Sequence, residues 1–267
     1  FKMADTATNY INGLFGLQGK VIIVTGSTGG LGYDMAKGLL QCGASVIING
    51  RTEERVITAR DSIYVETSKT TGLLAIAGDM SIPEDAQALV EKTMQAFGRI
   101  DVVINNAGIN ITERPFAESQ PGDWERLSSV NIQGPINLTR SALPYLKQAP
   151  AGRIINLASM VGHVGMSNIT LYTMTKAAIL LFTKSLSSEL ASSSVTVNSV
   201  SPGVFETPMN AKFEPGSEQY DSIVKGIPMR RLGKPEELVG IVVYLSSTAS
   251  SYTTGTDFLV DGGFTAV

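Results

Sequence analysis

Apolar residues in this chain fall into short, mostly β-branched runs separated by longer amphipathic segments. A short run without polar alternation predicts a strand that is buried on both faces of a sheet. Such runs are typical of parallel sheets, whose two faces are covered by helices. They lie at 20–25, 45–50, 73–78, 101–105, 153–158, 195–200 and 256–260.

The segments between these runs carry apolar residues at helical spacing, and the fourth of them is expected to break near Gly134-Pro135. They lie at 31–41, 52–69, 83–97, 122–147, 172–191 and 235–246. Strands that alternate with helices predict a single-domain, Rossmann-type α/β fold with a doubly wound parallel sheet of about seven strands. Residues 1–16 are expected to form a polar leader ahead of the domain, which spans 17–267. Within it, 204–232 has no strong period and is expected to form a substrate lid.

Composition limits the classes of function that are open to the chain. Its 267 residues suffice for a full α/β core, and a net charge of −3 argues against the basic surface that a nucleic acid requires. No apolar stretch is long enough to predict a membrane span. The single cysteine, Cys42, excludes an intrachain disulfide framework and favours a cytoplasmic protein. The single histidine, His163, cannot anchor a histidine-based metal site, and no metal is expected.

A glycine-rich turn, Thr25-Gly26-Ser27-Thr28-Gly29-Gly30-Leu31-Gly32, follows the first apolar run and opens a predicted helix. Small residues allow the backbone to approach a pyrophosphate, and the helix N-terminus offers free N–H groups to it. Three residues separate Gly26 from Gly30, where the usual fingerprint has one. The position of this turn, at the first strand of a doubly wound sheet, predicts dinucleotide binding.

The end of the second run bears on the choice of dinucleotide. An acidic residue there would hold the ribose hydroxyls of the adenosine and repel a 2′-phosphate. This chain has Asn49-Gly50-Arg51-Thr52 instead, and Arg51 can pair with a phosphate, assisted by the hydroxyls of Ser27 and Thr52. The segment favours NADPH/NADP+, with NADH as a weaker alternative. The other interpretation is that Arg51 begins a helix and faces water.

Tyr172 and Lys176 are four residues apart on a predicted helix and therefore lie on one face, one turn apart. An ammonium group beside a phenol favours the phenolate and lowers its pKa from about 10. This predicts a tyrosine that transfers protons near neutral pH. On its own, the pair is weak evidence for such a tyrosine, since most pairs of this kind are an amphipathic side chain and a solvated charge on the same helix.

The chain from Leu17 onward resembles the short-chain dehydrogenase/reductase family. The resemblance rests on several motifs in the family's order, and Ser159 precedes Tyr172 by the family's interval of 13 residues. One departure is Gly29, because many members that prefer the phosphorylated cofactor have Lys or Arg there. The motifs are Thr25-Gly26-x-x-x-Gly30-x-Gly32, Asn105-Asn106-Ala107-Gly108, Asn131, Ser159, Tyr172-x-x-x-Lys176 and Pro202-Gly203.

The resemblance implies a catalytic role for four residues. Tyr172 would be the general acid in ketone reduction and the general base in alcohol oxidation. Lys176 would lower the pKa of Tyr172 and hold the nicotinamide ribose, and Ser159 would hydrogen-bond the substrate oxygen. Asn131 would hold a water that links Lys176 to solvent.

The resemblance also implies two binding sets. Asp79 and Met80 would contact the adenine, and Thr207 the nicotinamide carboxamide. The cofactor set is Gly26, Ser27, Thr28, Gly30, Leu31, Gly32, Arg51, Thr52, Asp79, Met80, Asn105, Ala107, Gly108, Tyr172, Lys176, Pro202, Gly203, Val204 and Thr207. The expected substrate set is Ser159, Val161, Met166, Tyr172, Val204, Glu206 and Met209. Glu206 is either a solvated loop charge or a group that selects a hydroxylated or cationic substrate.

Three classes of function stay open at this point. One is a carbonyl reductase or polyol dehydrogenase, since 202–209 and 228–247 are similar to gluconate 5-dehydrogenases. Another is a 3-oxoacyl carrier-protein reductase, for which Lys225, Arg230, Arg231 and Lys234 could dock an acidic carrier. The third is a non-catalytic cofactor-binding sensor, which the intact Ser, Tyr, Lys and Asn set argues against. The family also implies a homotetramer or homodimer that acts on a small molecule.

Overall fold

The computed structural model describes residues 2–111, 113–211 and 213–267. Within these residues, seven strands form one parallel sheet in the order β3-β2-β1-β4-β5-β6-β7. The strand order reverses between β1 and β4, and ligands of doubly wound sheets bind outside the carboxyl ends of the strands at such a point. The strands are β1 (Val21–Val24), β2 (Ser45–Gly50), β3 (Leu73–Ala77), β4 (Val102–Asn105), β5 (Arg153–Leu157), β6 (Thr196–Pro202) and β7 (Asp257–Val260).

Helices cover both faces of this sheet. Of the described residues, no helix is long and apolar enough to cross a membrane. The helices are α1 (Lys2–Phe15), α2 (Gly30–Gln41), α3 (Glu53–Thr67), α4 (Pro83–Phe97), α5 (Asp123–Ser128), α6 (Gly134–Leu146), α7 (Thr170–Leu190), α8 (Glu218–Gly226) and α9 (Val239–Ser246).

The apolar runs form strands because both of their faces are buried. Ile22 and Val24 of β1 belong to a core that includes Met35 and Leu39 of α2, together with residues of α9. Successive strand residues point to opposite faces, so Val21 and Ile23 belong instead to a second core with α4 and α6. The predicted fold of seven parallel strands between two helical layers is confirmed.

The predicted break in the fourth helical segment lies earlier than expected. A π-helical turn at Ser129–Gln133 joins α5 to α6, and α6 itself begins at Gly134. Pro135 sits in the first turn of α6, where a missing N–H is tolerated. The irregular turn contains Asn131, so it helps to set the direction of that side chain.

Two segments differ from the sequence-based expectation. The expected leader contains α1, and the Thr248 hydroxyl donates hydrogen bonds to the Gly13 and Leu14 carbonyls at its end, both at 3.0 Å. The expected lid contains α8, which has no buried residue. With nine residues, α8 is shorter than the window over which apolar periodicity identifies a helix.

Candidate active site

The glycine turn after β1 is locked to the turn after β4. The Thr25 hydroxyl accepts hydrogen bonds from the Asn106 and Ala107 N–H groups, each at 3.0 Å. Gly26 has φ +61°, and a Cβ there would lie 2.9 Å from the Ala107 Cα. A Cβ on Gly32 would lie 2.5 Å from both the Asn106 side-chain nitrogen and the Gly26 carbonyl oxygen. Glycine is required at both positions because the two turns approach so closely.

The Asn105 side chain braces the sheet beside these turns. Its amide nitrogen donates to the Thr139 hydroxyl at 3.1 Å and to the Asn156 side-chain oxygen at 2.8 Å. Asn105 is buried at the end of β4, and Asn156 lies opposite it on β5. Its hydrogen bonds therefore fix the carboxyl end of β4, where the turn at Asn106 and Ala107 begins.

A cavity of about 650 Å³ runs from the glycine turn to the N-terminal part of α7. Gly30 and Gly108 leave room along it, because a Cβ on Gly30 would reach Thr207 only at 3.7 Å. This open cradle at a helix N-terminus fits a dinucleotide. The cofactor-set residues that line the cavity are Gly26, Thr28, Gly30, Leu31, Gly32, Arg51, Asp79, Met80, Asn105, Ala107, Gly108, Tyr172, Lys176, Pro202, Gly203, Val204 and Thr207.

Two cations line the end of the cavity beside β2. Arg51 was expected there, but Arg55 on α3 was not. Neither guanidinium forms an ion pair with any residue that the structure describes. A Cβ on Gly50 would lie 2.5 Å from the Thr28 Cγ2, so a ribose-binding acid does not fit that position without displacing Thr28. The spacing Arg51-x-x-x-Arg55 was the available signal for the second cation.

The hydroxyls of Ser27 and Thr52 are not placed to assist Arg51, contrary to the expectation from the sequence. The Ser27 hydroxyl donates to the Val24 carbonyl at 2.7 Å and accepts from the Asn49 N–H at 3.0 Å. Ser27 is fully buried, so its hydroxyl fixes the turn instead of facing a phosphate. Thr52 is exposed and lies outside the cavity lining.

The pair after β3 is held in place by local hydrogen bonds. The Asp79 carboxylate accepts from the N–H and the hydroxyl of Ser81, at 2.9 and 2.7 Å. Met80 is only 5% exposed, and its carbonyl accepts from the Asn137 side chain of α6 at 3.1 Å. Asp79 and Met80 therefore form a fixed wall of the cavity between β3 and α6.

Ser159, Tyr172 and Lys176 meet at the centre of the cavity. Ser159 follows β5 and begins a short 3-10 turn, and its side chain lies close enough to the Tyr172 hydroxyl to act on the pKa of that group. Lys176 is one turn along α7 and only 5% exposed, with its Nζ 5.7 Å from the centre of the Tyr172 ring. The Lys176 ammonium donates to the Leu157 carbonyl at 2.8 Å. The predicted helical pair therefore converges with a serine that is distant in sequence.

The acid–base character of the pair differs from the expectation. Burial raises the pKa of Tyr172 to about 12, and the hydrogen bond with Ser159 acts against that rise. Burial lowers the pKa of Lys176 to about 8. The prediction that Lys176 lowers the pKa of Tyr172 is wrong for this geometry, because the ammonium is bound to the Leu157 carbonyl and burial dominates. Tyr172 is therefore a protonated phenol at neutral pH, the form that can donate a proton.

Asn131 lies next to this centre. Its side-chain oxygen accepts from the Ile109 N–H at 2.8 Å, and its amide nitrogen donates to the Ile109 carbonyl at 2.9 Å and the Thr175 hydroxyl at 3.1 Å. A Cβ on Gly108 would lie 3.4 Å from the Asn131 oxygen and 3.5 Å from the Lys176 Nζ. Asn131 thus ties the loop after β4 to α7 beside Lys176. A bound water at this place stays a prediction.

The other end of the cavity has a mixed amide and apolar lining. Val161, Met166, Val204 and Met209 line it as expected. Further residues there were not foreseen, and most of them lie on loops without periodicity. They include Ile109, Asn110, Asn168, Asn210, Phe213 and Ile223.

Glu206 does not line the cavity. Its backbone N–H donates to the Gly233 carbonyl at 2.9 Å, and its exposed side chain lies on the side of Arg231. The neighbours Phe205 and Thr207 both face the cavity. The alternation of side chains along this extended segment turns Glu206 away. This position favours the interpretation of Glu206 as a solvated loop charge.

Comparison of the sequence with known proteins finds related reductases. A family model described as enoyl-(acyl carrier protein) reductase matches residues 26–265. The chain is 34% identical to a 5-keto-D-gluconate 5-reductase of Escherichia coli, over 95% of this chain and 98% of the relative. It is also 34% identical to the 3-oxoacyl-acyl-carrier-protein reductase FabG of Thermotoga maritima, over 92% and 98%.

A solved structure supports the same assignment. The crystal structure of a gluconate 5-dehydrogenase from Burkholderia cenocepacia, in complex with NADP and tartrate, superposes with a TM-score of 0.90 at 30% identity. The superposition covers 96% of this chain and 99% of that one. Together with the parallel seven-stranded sheet and the Ser159, Tyr172 and Lys176 cluster, these matches show that the chain belongs to the short-chain dehydrogenase/reductase family of oxidoreductases.

Proposed function

We propose that the protein is an NADP(H)-dependent oxidoreductase that interconverts a ketone and a secondary alcohol. The observation that carries this proposal is that Ser159, Tyr172 and the buried Lys176 line the same cavity as the glycine turn. A nicotinamide cofactor bound there would supply or accept the hydride. The gluconate-type relatives are supporting observations.

The side chains divide the remaining work of the reaction. In ketone reduction, the protonated Tyr172 hydroxyl gives its proton to the carbonyl oxygen, and in alcohol oxidation it takes the proton back. The Ser159 hydroxyl, which lies beside that of Tyr172, donates to the same oxygen as negative charge develops on it. Lys176 would hold the nicotinamide ribose, and Asn131 would hold a water that links Lys176 to solvent.

The adenosine end supports a preference for the phosphorylated cofactor. Arg51 and Arg55 place two cations at the end of the cavity beside β2, where a 2′-phosphate would be held. Gly50 leaves no acid to repel that phosphate, and Arg55 compensates for the glycine at position 29. Asp79 and Met80 would contact the adenine, and Thr207 the nicotinamide carboxamide.

The lining of the substrate end favours a hydroxylated ketone of small or medium size. Asn168 and Asn210 bring amide groups that can bond to hydroxyls, between the apolar surfaces of Met166 and Met209. The names of the gluconate-type relatives describe enzymes of hydroxylated compounds. Residues 204–232 would close over such a substrate, and Ile223 of α8 already faces the cavity.

Reduction of a 3-oxoacyl carrier-protein substrate is the second candidate, favoured by the similarity to the Thermotoga maritima enzyme. Its docking would need the basic residues at 225–234. Arg231 is paired with Glu237, with both guanidinium nitrogens 2.6 Å from carboxylate oxygens. That pairing leaves less free positive charge for an acidic carrier, so the hydroxylated ketone is preferred.

We also propose that the protein is a cytoplasmic homotetramer or homodimer. Leu181 on α7 and Leu259 on the edge strand β7 are 65% and 44% exposed. Apolar side chains on a helix face and on a sheet edge are suited to burial between copies of the chain.

Oxidation of NADPH and of NADH would be measured with 5-ketogluconate, a small cyclic ketone and an acetoacetyl thioester. We expect turnover with NADPH on the hydroxylated ketone. Turnover on the thioester alone would favour the carrier-protein reductase. If NADPH binds in a fluorescence titration but no ketone or thioester is reduced, the protein is a cofactor-binding sensor and the proposal fails.

A further inference from the structure

A hydrogen-bonded cluster outside the cavity joins the turn after Ser159 to the edge of the sheet. The His163 Nε2 lies 2.8 Å from one carboxylate oxygen of Asp257. The other oxygen of Asp257 accepts from the hydroxyls of Ser199, at 2.6 Å, and Ser201, at 3.0 Å. The two serines alternate along β6 and point to one face, and Asp257 is the first residue of β7, paired in register with Ser199. Two serines of β6 thus converge on Asp257, and Asp257 and Ser201 together hold His163.

The directions of these hydrogen bonds fix the histidine tautomer. An ionised carboxylate only accepts hydrogen bonds, so the proton between His163 and Asp257 belongs to the Nε2. The proton of the Ser201 hydroxyl goes to Asp257, which leaves the Ser201 oxygen, 3.3 Å from the Nε2, as an acceptor. The His163 N–H is therefore shared between Asp257 and Ser201, and the ring is held at one orientation.

The cluster does not form a nucleophilic site. Ser201 is fully buried, and the same nitrogen of His163 faces both Ser201 and Asp257. A serine nucleophile needs an exposed hydroxyl and a histidine whose second nitrogen is held by the acid. The cluster fits a structural link.

His163 ends the turn that Ser159 begins. The Ser159 hydroxyl oxygen lies 3.4 Å from the Val161 nitrogen, and the Ser159 carbonyl accepts from the Gly162 N–H at 2.9 Å. The His163 N–H donates to the Met160 carbonyl at 3.0 Å. A side chain held at His163 therefore restrains a turn of only a few residues, whose other end carries the Ser159 hydroxyl.

The same turn packs on the helix of the proposed acid–base pair. A Cβ on Gly162 would lie 3.1 Å from the Lys176 carbonyl oxygen and 3.0 Å from the Leu180 side chain. Val161, in the middle of the turn, lines the cavity. The turn is thus held between α7 on one side and the edge of the sheet on the other.

We infer that His163, held by Asp257, is a positioning residue that fixes the turn presenting Ser159 to the Tyr172 hydroxyl. The inference rests on the proposed function, in which Ser159 and Tyr172 act on the substrate oxygen. Asp257 belongs to the last strand, 94 residues away in sequence, so the C-terminal strand takes part in shaping the active site.

The test combines kinetics with hydrogen exchange of the turn. His163→Ala should speed exchange of the amides at 162–164 about tenfold. It should also lower kcat about tenfold while the Kd for NADPH stays within twofold, because one hydrogen bond contributes on the order of a tenfold effect. His163→Gln, whose amide N–H can reach Asp257, should recover most of both effects. Asp257→Ser should reproduce the faster exchange from the other side of the link.

Glu66→Gln is the matched control. Glu66 also joins two elements through a short hydrogen bond, 2.6 Å from the Tyr33 hydroxyl, but it lies on α3, away from Ser159. It should leave exchange at 162–164 and kcat unchanged. If His163→Ala leaves the exchange unchanged, the link is overturned whether or not the protein reduces ketones. If exchange rises but kcat holds, the positioning role is overturned while the proposed function stands. Absence of ketone turnover in the unaltered protein would contradict the proposed function. The hydrogen exchange of the amides at 162–164 would still test the link between His163 and Asp257.

Discussion

The two ends of the cavity are built in different ways. The cofactor end consists of backbone turns that follow buried strands, and the Thr25 hydroxyl and the side chain of Asn106 lock those turns together. The substrate end consists of side chains on 3-10 turns and loops between 160–170 and 204–226. A site made of tightly packed backbone tolerates little change, whereas a site made of loop side chains can vary while the sheet stays the same.

The largest effect is expected where the two ends meet. Tyr172→Phe removes only the hydroxyl, which lies beside Ser159 in the cavity. Turnover should fall at least ~10³-fold, since general acid catalysis contributes about 10²–10⁴-fold. NADPH binding, followed by fluorescence titration, should stay within twofold. A variant that retains a tenth of the activity would remove Tyr172 from the mechanism.

A methyl group in the glycine turn tests the rigidity of the cofactor end. In Gly32→Ala the new Cβ would lie 2.5 Å from the Gly26 carbonyl oxygen, so we expect a loss of about 2 kcal/mol and a Tm lower by ~5 °C. Gly29→Ala is the control, because its backbone is extended and a Cβ there meets nothing within 4 Å. Thermal unfolding without cofactor compares the two. Equal Tm values would mean that the turn can relax.

The two arginines test what the cofactor end selects. Arg51→Gln and Arg55→Gln should each raise the KM for NADPH about tenfold and leave that for NADH within twofold, since each removes one cation near the 2′-phosphate. Arg60→Gln on the same helix is the control, because Arg60 pairs with Asp61 and lies outside the cavity. Equal losses with both cofactors would mean that the arginines support the fold.

The smallest effect is expected from the acid at the edge of the substrate end. Glu206 lies outside the cavity lining, so Glu206→Gln should leave kcat/KM for hydroxylated ketones within twofold. Steady-state kinetics with hydroxylated and unsubstituted ketones measure this. A change above fivefold that is confined to the hydroxylated substrates would mean that the carboxylate reaches the substrate after all.

The same contrast separates what the sequence can predict from what it cannot. The strands and the glycine turn are predictable because both faces of the sheet are buried and close backbone contact requires glycine. The order of motifs brings Ser159 and Tyr172 into one site. The direction of Glu206 and the presence of Asn168 and Asn210 depend on loop paths that carry no period. The pKa of Tyr172 was mispredicted because its burial, unlike the spacing to Lys176, cannot be read from the sequence.

The most direct test of the account is transfer of a labelled hydride. NADPH that carries deuterium at both hydrogen positions of C4 would be incubated with the protein and the hydroxylated ketone preferred in the substrate panel, and the product would be analysed by mass spectrometry. We expect the unaltered protein to form an alcohol with one deuterium at the former carbonyl carbon, and Tyr172→Phe not to form it. An alcohol without deuterium, or equal labelling by the two proteins, would contradict it.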